Sequence, residues 1–146
     1  MTALDPIVIL LVEDDPGDVV LVREAFEHNK VHNELRVASD GVYALEQLRD
    51  PELSLPDLIL LDLNLPRKDG REVLAEIRAD ARLTAIPVVV LTTSNDEADV
   101  LRTYDLGVNS FITKPVTYAG LVKVMRTWTQ YWFQTVDLPI GIPGDH

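Results

Sequence analysis

At four places an apolar run ends in a polar residue, and these ends carry the chemistry open to this sequence: Glu13-Asp14 after Ile7 to Val12, Asp62 after Leu58-Ile59-Leu60-Leu61, Thr92 after Val88-Val89-Val90-Leu91, and Lys114 after Phe111-Ile112-Thr113. A continuous Leu/Ile run reads as a strand covered on both faces, where an uncompensated charge such as Asp62 costs about 2–7 kcal/mol. Three carboxylates gathered within ~4 Å of one another would repel by about 4 kcal/mol per pair at an effective dielectric near 20, so such a cluster either holds a proton or binds a cation. Oxygen ligands without His or Cys suit Mg²⁺, which keeps several waters and is held by one or two carboxylates plus a phosphate oxygen. Asp62 would then act as a nucleophile toward phosphorus, with the metal offsetting charge on the transferred group. Lys114 can pair with one phosphoryl oxygen while the Thr92 hydroxyl donates to another.

The elements that must position these residues alternate along the chain. Strands are expected at 7–13, 35–38, 58–62, 86–91 and 110–113. Asp15 reads as a helix N-cap with Pro16 in the first position, and Val19, Val22, Ala25 and Phe26 form that helix's apolar stripe. Ser39-Asp40-Gly41 precedes a helix carrying Val42, Ala44, Leu45 and Leu48. Asp69-Gly70-Arg71-Glu72 and Ser94-Asn95-Asp96-Glu97 both resemble capping boxes, for helices ending at Arg78 and at Leu106-Gly107. Thr117 caps a last helix reaching about Phe133. Five strands alternating with five helices predict a doubly wound α/β domain with a parallel sheet. In such sheets ligands bind outside the carboxyl ends of the strands, the rim on which every polar exception falls.

Composition sets limits around this site. The 146 residues suit one domain, and a net charge of −11 argues against direct binding to nucleic acid or an anionic membrane surface. There is no cysteine, which excludes disulfides, thiolate catalysis and thiolate metal sites. No apolar stretch is long enough to span a membrane and the start lacks a basic signal-peptide region, so a soluble cytoplasmic protein is the default.

At Val12-Glu13-Asp14, Leu61-Asp62-Leu63-Asn64-Leu65-Pro66, Val90-Leu91-Thr92-Thr93 and Phe111-Ile112-Thr113-Lys114-Pro115 the chain resembles a response-regulator receiver domain. The resemblance runs from Ile7 to about Trp128. It implies a flavodoxin-like receiver fold with strand order 2-1-3-4-5, and an Asp62 that accepts a phosphoryl group from a partner sensor histidine kinase. It further implies Mg²⁺ held by Asp14, Asp62 and the Asn64 backbone carbonyl, with Glu13 helping through water. Thr92 and Phe111 would form a switch that remodels the face of the fourth helix, fifth strand and fifth helix, and the bond before Pro115 would be cis. The chain departs from the commoner pattern in having Glu13-Asp14 instead of two aspartates, and a switch aromatic, Phe111, without a hydroxyl.

Other readings stand beside these. Asp15 extends the acidic run, but its place before Pro16 makes it an N-cap and leaves it outside the site. Glu13 could be a solvated strand end, and Thr92 only a β-former beside Thr93. His28, His32 and His146 have no clustered spacing and read as exposed structural residues. An aspartate-nucleophile phosphatase would place its general acid at position 64, where an asparagine cannot donate and recover a proton. A phosphorylation-independent scaffold is a further alternative, opposed by the full set Asp14, Asp62, Thr92 and Lys114.

Past the receiver pattern, Trp128 reads as core, whereas Tyr131, Trp132 and Phe133 have no intramolecular surface left to cover. The chain is therefore divided into a receiver domain, 1–133, and an apolar C-terminal arm, 134–146, whose Leu138 and Ile140 pack with those aromatics against a second subunit in a homodimer. The alternative is that the tail folds back on its own domain. With no output module read after the receiver pattern, the expected output is contact with another, unidentified protein. The Tyr-Trp-Phe ending and Leu-Pro tail, with His32-Asn33 and the run from Leu91 to Asp96, are similar to single-domain regulators that partner bacterial phytochrome histidine kinases.

Overall fold

The computed structural model describes residues 6–93, 97–115 and 117–135, with only the backbone at 97, 99, 101 and 133–135. Strand β1 (Ile7–Val12) leads to helix α1 (Pro16–His28), then β2 (Asn33–Ala38), α2 (Gly41–Arg49), β3 (Leu58–Leu61), α3 (Gly70–Ala79), β4 (Val88–Thr92), α4 (Glu97–Asp105), β5 (Ser110–Thr113) and α5 (Tyr118–Thr135). All strand pairs are parallel, in the order β2-β1-β3-β4-β5. The doubly wound sheet expected from the sequence is therefore present.

Every residue of β1, β3 and β4 is buried, which explains their unbroken apolar runs: side chains alternate between two covered faces. Ile7, Ile9, Leu11, Leu58, Leu60, Val89 and Leu91 meet α1 and α5 on one side. Leu10, Val12, Ile59, Leu61, Val88 and Val90 meet α2 and α3 on the other.

Local signals start the helices where the sequence places them. Asp15 Oδ1 accepts the Gly17 N–H at 2.8 Å with Pro16 behind it, and Asp69 Oδ2 accepts from the Arg71 N–H at 3.0 Å. Asp40 also proves to be an N-cap, accepting from the Tyr43 N–H at 2.8 Å. Gly107, past the end of α4, has φ +78°, a conformation that favours glycine. The cap signature at 94–96 lies outside the described residues. Strand β4 begins at Val88 instead of Ile86, directly after Pro87, which has no N–H for a ladder. No peptide bond among the described residues is cis, so the bond before Pro115 is trans, contrary to the expectation from the resemblance.

The largest departure concerns α5, which packs along α1 and runs on to Thr135. Trp132 is 7 % exposed and joins the same core cluster as Trp128, with the two ring centroids 5.7 Å apart. The assignment of Trp132 to a subunit interface is thereby corrected: one more helical turn brings it back onto the face that already buries Met125 and Trp128. Tyr131, one position before it on the helix, is 62 % exposed. The side chain of Phe133, and all of Leu138 and Ile140, lie outside what is described.

Candidate functional site

The site is built by strand register. Val12 is aligned with both Ala38 and Leu61, Leu61 with Val90, and Thr92 with Thr113. The next residues, Glu13, Asp62 and Lys114, consequently emerge together at the carboxyl rim. The Asp62 N–H still donates to Val12 O at 3.0 Å and the Lys114 N–H to Thr92 O at 2.7 Å, so both side chains are fixed by ladder bonds just past their strands.

A close approach behind Asp62 fixes it further. A Cβ on Gly70 would stand 2.2 Å from the Asp62 carbonyl oxygen and 2.6 Å from Leu63 Cα, so only glycine lets α3 start against the end of β3. Here Gly70 is a support for the loop that follows Asp62, a role its place in a capping signature did not reveal.

Glu13, Asp62 and Lys114 are buried, at 3 %, 7 % and 7 % exposure, while Asp14 and Asn64 face solvent. Lys114 Nζ donates to Glu13 Oε1 at 2.5 Å, Asp18 Oδ2 at 2.8 Å and Asp62 Oδ2 at 3.3 Å. Burial opposes a charge on Lys114, but the bonds to Asp18 and Glu13 outweigh it and hold the ammonium pKa above its usual value. Burial pushes the Glu13 carboxyl up to about 7; the Lys114 bond and charge pull it down, and the neighbouring Asp62 adds to the rise. Glu13 Oε2 also accepts the Asp15 N–H at 3.2 Å. Glu13 is thus a buried member of the cluster, and the reading of it as a solvated strand end falls.

Oxygens of Glu13, Asp14 and Asp62 lie within 4.8 Å of one another, with no nitrogen or sulfur ligand among them. That donor set makes an acidic site suited to a hard divalent metal. Asn64 frames the opening: its N–H donates to Asp62 Oδ1 at 3.1 Å and its Nδ2 to Thr92 Oγ1 at 3.3 Å. Thr92 is fully buried, and its strand neighbour Thr93 is exposed, as alternation requires. Phe111 is aligned with Val90 and packs partly buried against the α2–α3 side of the core, the face to which Thr92 also points by alternation. Asp15 stays a cap outside the metal cluster.

Asp18 is the member that sequence reasoning missed. Its place in the first turn of α1 marks it as a carboxylate favoured by the helix dipole, and nothing local signals that it faces a lysine 96 residues away.

A parallel 2-1-3-4-5 sheet with three carboxylates, a buried lysine and a threonine at its carboxyl rim defines a receiver. The chain belongs to the response-regulator receiver family, whose domain model matches residues 9–126. It is similar to the response regulator Rcp1 of Synechocystis sp., with 49 % identity over 138 residues, covering 92 % of this chain and 94 % of that one. Two solved structures are also similar: the phosphorylated cyanobacterial phytochrome response regulator RcpA (45 % identity, TM-score 0.86) and the Mn²⁺-bound form of Rcp1 (46 %, TM-score 0.88), each covering 92 % of this chain and 99 % of its own. Because both chains are covered almost throughout, the likeness is to a single-domain response regulator and not to a classical enzyme. As a member of a two-component system, such a protein works with a histidine kinase. No helix among the described residues is long and apolar enough to cross a membrane.

Proposed function

We propose that Asp62 is the phosphoacceptor of a two-component relay, taking its phosphoryl group from a phytochrome-type sensor histidine kinase in a Mg²⁺-dependent reaction in the cytoplasm. The observation that carries this is the position of Asp62, a buried strand-end carboxylate 3.3 Å from Lys114 Nζ inside a cluster with Glu13 and Asp14. An Asp62 carboxylate oxygen attacks the phosphorus of the kinase phosphohistidine. The P–N bond breaks, its electron pair stays with the imidazole, and an acyl phosphate remains on Asp62. Lys114 donates to a phosphoryl oxygen, and the Thr92 hydroxyl donates to another. Glu13, Asp14, Asp62 and the Asn64 backbone carbonyl would hold Mg²⁺, which when bound neutralises charge gathered on the phosphoryl group.

The signal leaves by protein contact. When Thr92 turns to the phosphoryl group, Phe111 on the same side of the sheet moves inward and alters the face of α4, β5 and α5. That face carries an apolar groove of about 680 Å³ lined by Ile112, Pro115, Val124, Trp128 and Tyr131 among others. The groove's occupant is a second copy of the chain: exposed Tyr131 borders it, and the eleven residues after Thr135 include Val136, Leu138, Ile140 and Ile142. Residues 1–133 would form the receiver and 134–146, with Phe133, the dimer arm. Likeness to the cyanobacterial phytochrome regulators supports red or far-red light as the input, sensed by the kinase and not by this chain.

Incubation with Mg²⁺ and a small acyl phosphate should give one base-labile, acid-stable phosphoryl adduct by intact mass, absent in Asp62→Asn. An adduct that persists in the variant overturns the assignment, and repeated rapid release of phosphate would point to a phosphatase.

A further inference from the structure

Resting on Asp62 as phosphoacceptor, we infer that Asp18 is a positioning residue that restrains Lys114 and thereby slows phosphoryl uptake. An ammonium has three protons to donate, and Lys114 Nζ faces three carboxylates. Asp62 has the weakest hold, at 3.3 Å, against 2.5 Å for Glu13 and 2.8 Å for Asp18. The lysine that must serve the incoming phosphoryl group is thus held mainly by groups that do not receive it. Glu13 and Asp14 would hold a divalent cation, whose charge would relieve Lys114 of its pairing with Glu13. Asp18 lies outside that metal cluster and keeps its claim on the ammonium.

The geometry of α1 explains why Asp18 is available. An acidic residue at this place, the third in a helix, commonly reaches back to the N-cap N–H. In this chain Glu13 Oε2 accepts that N–H from Asp15, while the Asp15 carboxylate serves Gly17. The Asp18 carboxylate is left to Lys114, with its side chain 19 % exposed at the mouth of the site. Its charge also opposes the approach of an anionic phosphodonor, so restraint and repulsion act in the same direction.

The test compares the rate of adduct formation with a small acyl phosphate and Mg²⁺ in the full chain and in Asp18→Ala, Asp18→Asn, Asp18→Glu and Asp62→Asn. Asp18→Ala frees a donor and removes a charge, and should speed uptake roughly three- to tenfold. Asp18→Asn keeps an acceptor without the charge and should fall between Ala and wild type. Asp18→Glu returns the charge and should restore slow uptake. A purely structural Asp18 would instead give slower uptake with a lower melting temperature. A folded Ala variant that reacts within twofold of wild type or more slowly, or a folded Asn variant no faster than wild type, overturns the inference; if the Ala variant fails to fold, the Asn and Glu variants decide. A wild-type chain that forms no adduct removes the phosphoacceptor reading and this inference with it, whereas a normal wild-type adduct with unchanged variants removes this inference alone.

Discussion

Lys114 Nζ, just past β5, stands 3.3 Å from Asp62 Oδ2, just past β3, and reaches it across the end of the intervening β4. The ammonium neutralises part of a carboxylate cluster that a divalent cation would also neutralise, so lysine and metal share one electrostatic task. Replacing Lys114 by Met should therefore cost about 3–5 kcal/mol at pH 8 without metal, the usual penalty for stranding a buried partner. Mg²⁺ should recover part of that loss. Chemical denaturation with and without Mg²⁺ measures both, and a variant as stable as wild type would show that the pair contributes nothing.

Glu13 predicts a pH dependence. Its folded pKa of about 7 lies above the ordinary 4.5, because burial disfavours its charge. The folded protein binds that proton more tightly than the unfolded chain. Glu13 thus contributes stability that is fully present below pH 4.5 and lost as pH rises through about 7, amounting to at most about 3 kcal/mol. A bound divalent cation competes for the same oxygen, so Mg²⁺ should raise the melting temperature more at pH 8 than at pH 6. An equal Mg²⁺ shift at both values would exclude Glu13 as the linked group.

The parts of this site that were legible in the sequence are those that one strand can announce by itself. Asp62 and Lys114 interrupt apolar runs, Thr92 ends one, and parallel register then carries all of them to the same rim. Contacts between distant elements leave no such local trace. Asp18 looks like any first-turn acid, and Gly70 looks like part of a cap, because the partner of each belongs to another segment of the chain. Trp132 was misplaced for a related reason: four residues after Trp128 it returns to the same helix face, but only the packing of α5 on α1 shows that the core extends that far.

Gly70 and Gly17 should respond unequally to the same change. A Cβ at Gly70 would collide with main-chain atoms of Asp62 and Leu63. Gly70→Ala should cost at least about 1–3 kcal/mol and reduce phosphoryl uptake by displacing Asp62. A Cβ at Gly17 would meet only Asp15 Oδ1, at 3.2 Å on an exposed side chain. Gly17→Ala should stay within roughly 1 kcal/mol of wild type, since alanine's helix preference offsets the small shift of the cap. Thermal melting paired with adduct formation checks both, and a harmless Gly70→Ala would remove the supporting role given to that glycine.

The end of the chain separates a folding contribution from an association contribution. Trp132 is buried against Trp128, so Trp132→Ala should cost about 3–5 kcal/mol whatever the oligomeric state. A chain ending at Thr135 keeps that packing and loses only the proposed arm. It should melt near the wild-type temperature when compared at dilutions where both are monomeric, and should scatter light as a monomer at concentrations where the full chain is a dimer. Tyr131→Ala, which removes an exposed ring beside the apolar groove, should weaken association without a comparable loss of stability. If the shortened chain remains dimeric, the arm does not hold the subunits together. If it unfolds instead, the last eleven residues belong to the fold of their own domain, which is the arrangement the dimer proposal sets aside.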